Sequence, residues 1–275
     1  MLWAGVPGQI DFGKGVGRMK PIAVVTGGSS GFGREFVKQL LQTEMQEIWV
    51  IARDPEKLHR LQKDFKNKIR IFSLDLSDLC SIETFSHTLA KESPDIRWLI
   101  NNAGYAKFCS YCDLDIRQSA NMISLNAIGT VSMGLCCIPY MRRGAHILNI
   151  ASQSAFFPLP YLNLYSATKA FILHYSQALR TELKDKGVGV TAVCPGWMDT
   201  GLYARANIGV QKAPSRFIPM FSPDKVAKKA LRDAQKNKAV SMYGVTVRFS
   251  YAVAKLLPQK IITKMWLSQQ NLNDF

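Results

Sequence analysis

Thr26-Gly27-Gly28-Ser29-Ser30-Gly31-Phe32-Gly33 joins two stretches of different character. Residues 22–26 before it form a short apolar run, and residues 34–42 after it carry Phe36, Val37, Leu40 and Leu41 at helical spacing. A short apolar run bounded by a turn suits a strand buried on both faces, and a 3.6-residue period suits a helix packed against it. Glycines at such a junction let the chain turn tightly, bring backbone N–H groups against a pyrophosphate and allow close packing of helix on sheet. The first turn of the helix adds partial positive charge. A glycine cluster elsewhere marks no more than a turn. Between strand and helix it reads as a dinucleotide-binding loop, although its spacing departs from G-x-G-x-x-G.

The alternation continues downstream. Strand patterns at 47–52, 69–74, 98–101, 146–152 and 188–194 are interspersed with helical patterns at 55–65 and 81–91. Strand and helix repeated at this spacing predict an α/β fold, a doubly wound parallel sheet with helices on both faces in three α/β/α layers. No Pro/Ser-rich linker or solenoid repeat interrupts the series, so the 275 residues are read as a single domain.

In a dinucleotide-binding loop, an acidic residue about 20 residues further on takes the ribose 2′-hydroxyl of NAD. Arg53 ends the second strand here, followed by Asp54. A guanidinium, a fixed fork of donors with permanent charge, suits a 2′-phosphate, and Ser29 and Ser30 can add hydroxyls to the same group. Asp54 either serves the ribose hydroxyl instead or is a turn residue. The balance favours NADP(H) over NAD(H).

With these residues in place the sequence resembles the short-chain dehydrogenases/reductases. The TGxxxGxG pattern is Thr26 to Gly33, the Asp-Leu after the third strand is Asp75-Leu76, and NNAG is Asn101 to Gly104. Asn126 is the helix asparagine, Ser152 the serine after the fifth strand, and Tyr165 to Lys169 the YxxxK motif; Pro195-Gly196 and Thr200 follow the sixth strand. Each motif alone is weak evidence; in this order they span about residues 20–200. The resemblance implies a Rossmann-type fold and a ketone–alcohol oxidoreductase. It gives Tyr165 the proton transfer, Lys169 the ribose hydroxyls and Ser152 a hydrogen bond to the substrate oxygen. Asn126 would interrupt its helix and hold a water relaying protons through Lys169. For the cofactor it implies Gly27, Ser29, Ser30, Gly31, Phe32, Gly33, Arg53, Asp75, Leu76, Asn102, Ala103, Gly104, Tyr165, Lys169, Pro195, Gly196, Met198 and Thr200, with no metal. Homodimers or homotetramers formed through helix faces are a further expectation, the helix of Asn126 being the candidate face.

Physical chemistry supports the central pair. Tyr165 and Lys169 are four residues apart, which places them on one helix face. A tyrosine hydroxyl near pKa 10 shuttles protons poorly at neutral pH; an adjacent ammonium and an oxidised nicotinamide both favour the phenolate and lower that value. Segments 154–164 and 197–221 are rich in Phe, Tyr, Leu and Ile, and within the family they border the substrate cleft. They predict a bulky hydrophobic ketone or alcohol, steroid-like first and a 3-oxoacyl chain next, unless the aromatics only cover the core. Trp197 is either a pocket wall or packing.

Composition sets the outer bounds. Lys and Arg number 35 against 20 Asp and Glu, a net charge of +15, and 47% of residues are hydrophobic. That apolar fraction excludes a disordered basic tail, and no nucleic-acid-binding motif accompanies the charge. Residues 224–264 hold ten basic side chains and two acids. Within them Val226, Ala227, Ala230, Leu231 and Ala234 mark the buried face of a helix, leaving Lys225, Lys228, Lys229, Arg232 and Lys236 largely to solvent. Beyond Arg248 the chain mixes Lys255, Lys260 and Lys264 with Leu256, Ile261, Met265 and Trp266, which suits an anionic membrane surface or a partner subunit. Residues 118–141 lack formal charge over a membrane-spanning length, but Asn121, Asn126, two glycines and Pro139 favour a helix buried between layers. Six cysteines without a signal peptide indicate a reducing compartment, and Cys109-x-x-Cys112 lacks the second pair a zinc ribbon needs. The expected organisation is a leader or added extension at 1–18, with Met19 as the natural start, a Rossmann-fold catalytic domain at 19–248 and a basic amphipathic tail at 249–275. The expected location is the cytoplasm, with peripheral membrane contact through the tail. A non-catalytic cofactor sensor on the same fold is the alternative function.

Overall fold

The computed structural model describes residues 20–65, 68–210 and 213–272. The extension expected at 1–18 and the start expected at Met19 lie outside the described residues. Strands β1 (Pro21–Thr26), β2 (Glu47–Ala52), β3 (Ile69–Ser73), β4 (Asp95–Asn101), β5 (His146–Ile150) and β6 (Gly189–Val193) form most of the sheet. Two further pairs are short: β7 (Trp197–Met198) with β8 (Met220–Phe221), and β9 (Val240–Ser241) on the edge beside β6. The seven-stranded sheet is parallel throughout, in the order β3-β2-β1-β4-β5-β6-β9. The doubly wound three-layer fold expected from the alternation is therefore present.

The strand period of two sorts the core onto the two faces. Ala23 and Val25 of β1 with Ile48 and Val50 of β2 meet α1 (Gly31–Leu40), α2 (Pro55–Phe65) and, further along the sheet, α8 (Pro223–Gln235). Ile22 and Val24 with Trp49 and Ile51 face α3 (Leu79–Glu92), α5 (Gly129–Cys137) and α6 (Asn163–Glu182). Both strands are buried on both faces, which is why they read as unbroken apolar runs rather than as alternation. The order reverses between β1 and β4, and the crevice beyond the carboxyl ends of these two strands is where an open α/β sheet takes its ligand.

The uncharged stretch around Asn126 is layered into the protein. It comprises α4 (Ile116–Ile123), one π turn at Ser124–Ile128 and α5, and Met122, Met133 and Cys137 are fully buried. It is long and apolar enough to cross a membrane, yet 61% of its most apolar window is buried inside the protein. The basic C-terminal region differs from the sequence reading in two respects. The division drawn after Arg248 falls inside α9 (Val245–Leu256), and α10 (Gln259–Gln270) is anchored to the body by Gln270, whose Oε1 accepts from the backbone N–H groups of Ser215 and Arg216. Lys229, expected in solvent, instead donates to the buried carboxylate of Asp233 at 2.7 Å. Asp233 also accepts from Ser241 and pairs with Lys238, tying α8 to β9.

Candidate active site

The carboxyl ends of the strands, with the loops that follow them, surround a cleft of about 420 Å³. Its floor is the crevice between β1 and β4. Thr26 Oγ1 accepts from the N–H groups of Asn102 and Ala103, both at 2.9 Å, and Asn102 Nδ2 donates back to the carbonyls of Thr26 and Gly27. These bonds hold the glycine loop against the β4 turn. A Cβ on Gly33 would lie 2.2 Å from the Gly27 carbonyl oxygen, so only glycine allows α1 this close to the loop. Gly33 acts behind the cleft wall rather than in it.

The start of α1 is open to an anion. Ser30 occupies the N-cap without a side-chain cap bond, and the first turn contains no acid among the described residues. A helix start with free N–H groups and no competing carboxylate is a phosphate site. Gly27, Ser29, Ser30, Gly31 and Phe32 all line the cleft. Arg53 lines it at the end of β2, 3.8 Å from Asp75. Asp54 also reaches the cleft wall, but its carboxylate accepts from the N–H of Lys57 at 3.0 Å and pairs with Lys57 Nζ at 2.6 Å. Those bonds hold its carboxyl below its usual range. Of the two roles left open for Asp54, its contacts occupy that of the turn residue, here capping the start of α2.

Leu76, Asn102, Ala103, Gly104, Pro195, Gly196, Met198 and Thr200 line the cleft, together with Ser152, Tyr165 and Lys169. Asp75 does not; its carboxylate is turned to Ser77, whose N–H and hydroxyl both donate to it. Asn126 is also set back. Its amide is fully engaged, Oδ1 accepting from the N–H of Tyr105 and Nδ2 donating to the Tyr105 carbonyl and to Thr168 Oγ1. The group Asn126 can offer a water is its main-chain carbonyl in the π turn, which already accepts from Thr130 Oγ1. Sequence reasoning passed over Phe108, Lys57 and Arg205, which line the cleft without belonging to any motif. It also passed over Asn149, which accepts from Asn101 and donates to Ser176, a buried polar ladder beneath the site. A polar residue inside the otherwise apolar 147–151 run was the available signal.

Tyr165 and Lys169 stand on the face of α6 that meets β5. Lys169 is 5% exposed and donates to the carbonyl of Ile150 at 2.6 Å, and its ammonium lies 5.6 Å from the Tyr165 ring centre. Burial pushes the lysine down to about 8, opposed by the neighbouring Cys194. Burial raises Tyr165, the nearby Tyr203 adds to this, and the Ser152 hydroxyl pulls it back. In the protein alone, burial thus acts against the lowering that an ammonium together with an oxidised nicotinamide would bring.

The lysine shift predicts a pH effect on stability. Between pH 8 and 10.5 the unfolded chain keeps the Lys169 proton that the folded chain has lost, so stability rises with pH. Cys194, pushed by burial up to about 12, acts in the opposite sense above pH 9. Urea unfolding should therefore show a gain of about 1 kcal/mol from Lys169 between pH 8 and 9, absent in Lys169→Met.

The family model described as short chain dehydrogenase matches residues 21–210. The chain belongs to the short-chain dehydrogenase family. An oxidoreductase of Staphylococcus epidermidis is 31% identical over 193 residues, covering 70% of this chain and 84% of the relative. The very-long-chain 3-oxoacyl-CoA reductase of Macaca fascicularis is 28% identical over 263 residues, covering 93% and 80%. Among solved structures, a short-chain dehydrogenase from Sphingobium yanoikuyae in complex with NADPH is 25% identical and superposes with a TM-score of 0.72 over 87% of this chain and 97% of that one. This chain is accordingly an oxidoreductase of that family. Its own residues fit a dinucleotide: the open start of α1, the glycine approach at Gly27 and Gly31, and a guanidinium where an adenosine phosphate would be met.

Proposed function

We propose that this protein interconverts a ketone and a secondary alcohol on a bulky hydrophobic substrate, using NADP(H). The observation that carries the reading is the convergence of Ser152, Tyr165 and Lys169 on one wall of the cleft whose other end holds the glycine loop and Arg53. The bound cofactor supplies the hydride. In reduction the Tyr165 hydroxyl gives its proton to the carbonyl oxygen as the carbonyl carbon becomes tetrahedral, and in oxidation the phenolate takes that proton back. The Ser152 hydroxyl donates to the same oxygen and stabilises the charge that develops on it. Lys169 holds the ribose hydroxyls and, as an ammonium, stabilises the phenolate; the main-chain carbonyl of Asn126 seats a water that links Lys169 to solvent. The complete set of polar groups favours catalysis over the cofactor-sensing alternative. Phe108, Trp197, Leu202 and Tyr203 give the substrate side apolar walls, which supports a steroid or a long 3-oxoacyl chain over a sugar. The test is NADPH oxidation over steroids, 3-oxoacyl thioesters and small aldehydes, repeated with NADH. Turnover of hydrophobic ketones with NADPH preferred is the expected result, and no turnover of any ketone would return the sensing reading.

A second surface supports a homo-oligomer. Ile123, Ile128 and Leu135 on the Asn126 helix and Phe171 on α6 are all exposed. Tyr175 stacks on Phe171 and buries a hydroxyl that has no partner among the described residues. A second copy covering this strip would hide the apolar residues. Leu135→Asp should convert the wild-type dimer or tetramer to monomers in sedimentation velocity, whereas a monomeric wild type would remove the proposal. Along α9 and α10, exposed Phe249, Leu256 and Met265 stand among Lys255, Lys260 and Lys264, which supports peripheral contact with an anionic membrane. Salt-sensitive co-sedimentation with phosphatidylserine vesicles but not phosphatidylcholine vesicles is expected; equal partitioning to both would count against it.

A further inference from the structure

Trp197 is a wall between two cavities. On one side is the cleft that contains Tyr165 and Ser152. On the other is a groove of about 300 Å³ between the loop after β5 and the helices α9 and α10. Phe157, Leu159, Val253, Leu257, Ile262 and Trp266 line the groove, and none of its lining side chains among the described residues is charged. Trp197 is only 7% exposed and is held on both sides, edge-on to Tyr203 at 5.7 Å and stacked on Trp266 at 6.3 Å. Trp266 is fixed in turn by its indole N–H, which donates to the Pro160 carbonyl at 3.0 Å.

Two chambers that share one indole suit a substrate with a reacting head and a flexible tail. A rigid four-ring body cannot bend around Trp197, whereas a hydrocarbon chain can pass along its face and leave the carbonyl at Tyr165. The lining is predominantly apolar, with Gln153, Thr246, Ser250 and Gln269 as its polar members, and it matches a chain that brings no polar group to satisfy. We infer that the groove behind Trp197 holds the acyl chain of the substrate, and that the enzyme selects extended-chain 3-oxoacyl compounds over compact or fused-ring ketones. This inference rests on the ketone-reductase reading above and narrows its substrate class.

The experiment is a chain-length series with NADPH, from 3-oxobutanoyl through 3-oxooctanoyl to 3-oxododecanoyl thioesters, with a steroid ketone alongside. If the chain enters the groove, kcat/KM rises roughly three- to fourfold per added methylene until the groove is full. Val253→Trp, which fills the groove from α9, should lower the ratio of dodecanoyl to butanoyl kcat/KM at least tenfold. Leu257→Trp, at the open edge of the groove, repeats the test with less disturbance should the first variant melt early. A flat chain-length series, a ratio unchanged in both variants, or a steroid turned over faster than every thioester overturns the inference and leaves the ketone-reductase reading standing. Failure to reduce any ketone overturns both.

Discussion

Tyr165→Phe should lower kcat for ketone reduction roughly 10³-fold while leaving NADPH affinity within a few-fold, since a positioned general acid contributes typically 10²–10⁴. The variant isolates one atom. Tyr165 is 8% exposed, packed edge-on to Phe108 at 6.0 Å, so phenylalanine fills the same volume and the fold has no reason to yield. What disappears is the hydroxyl to which the proposed mechanism gives the proton transfer. Ser152 remains, but at neutral pH a serine hydroxyl stabilises an oxyanion better than it protonates one. Binding is read from quenching of protein fluorescence by NADPH and turnover from loss of its absorbance. Retained reduction in this variant would sink the mechanism. The buried environment sharpens the expectation further: burial holds Tyr165 firmly protonated in the protein alone. Reduction, which needs the protonated form, should therefore run without loss down to acidic pH as far as this group is concerned. Oxidation, which needs the phenolate, depends on the positive charge of Lys169 and is the direction most sensitive to its replacement.

The parts of the fold that were legible in the sequence are those in which local pattern and tertiary role coincide. β1 and β2 are buried on both faces, so their apolar runs announce them, and the glycine loop sits where strand becomes helix for a reason that geometry confirms at Gly33. Motif residues could be placed in order because Thr26, Asn101, Ser152 and Pro195 lie at or just beyond strand ends that the alternation marks, while Tyr165 and Lys169 share one face of α6 at helical spacing. Less legible was everything decided by contacts far apart in sequence. Phe108 joins the cleft wall through a loop that meets Tyr203 and Phe217, some hundred residues away, and no local period marks it. Lys229 carries the signature of a solvated helix face, yet Asp233 beside it is buried under Ser241 and Lys238 from the next strand and loop, so the pair is drawn inward. The boundary after Arg248 followed a change in composition, but α9 runs through it and α10 returns to pack Trp266 on Trp197. Composition reports solvent and charge, whereas domain edges are set by which surfaces remain to be covered.

Arg53→Ala should raise KM for NADPH by about 10- to 100-fold, the range expected for loss of charge-assisted hydrogen bonds, and move KM for NADH little. The preference of the enzyme would then fall toward parity or invert. The argument is one of competing contacts. Arg53 is 56% exposed and its nearest carboxylate, Asp75, is 3.8 Å away, beyond a good hydrogen bond, so the guanidinium is not committed within the protein. Lys57, the other cation at this end of the cleft, is committed: its Nζ lies 2.6 Å from Asp54. Asp54 in turn caps α2, and a carboxylate held by an ammonium and a backbone N–H is a poor acceptor for a ribose hydroxyl. An enzyme built for NAD would leave an acid free here, and this one leaves a base free. Two controls separate recognition from stability. Asp54→Ala should lower the melting temperature by removing the cap while keeping the NADPH-to-NADH ratio. Raising the salt concentration should weaken NADPH binding in the wild type and do so much less in Arg53→Ala, since an exposed guanidinium acts on a phosphate through a field that ions screen. Equal losses for both cofactors in Arg53→Ala would place the residue in the general architecture of the loop and remove its part in selecting the 2′-phosphate.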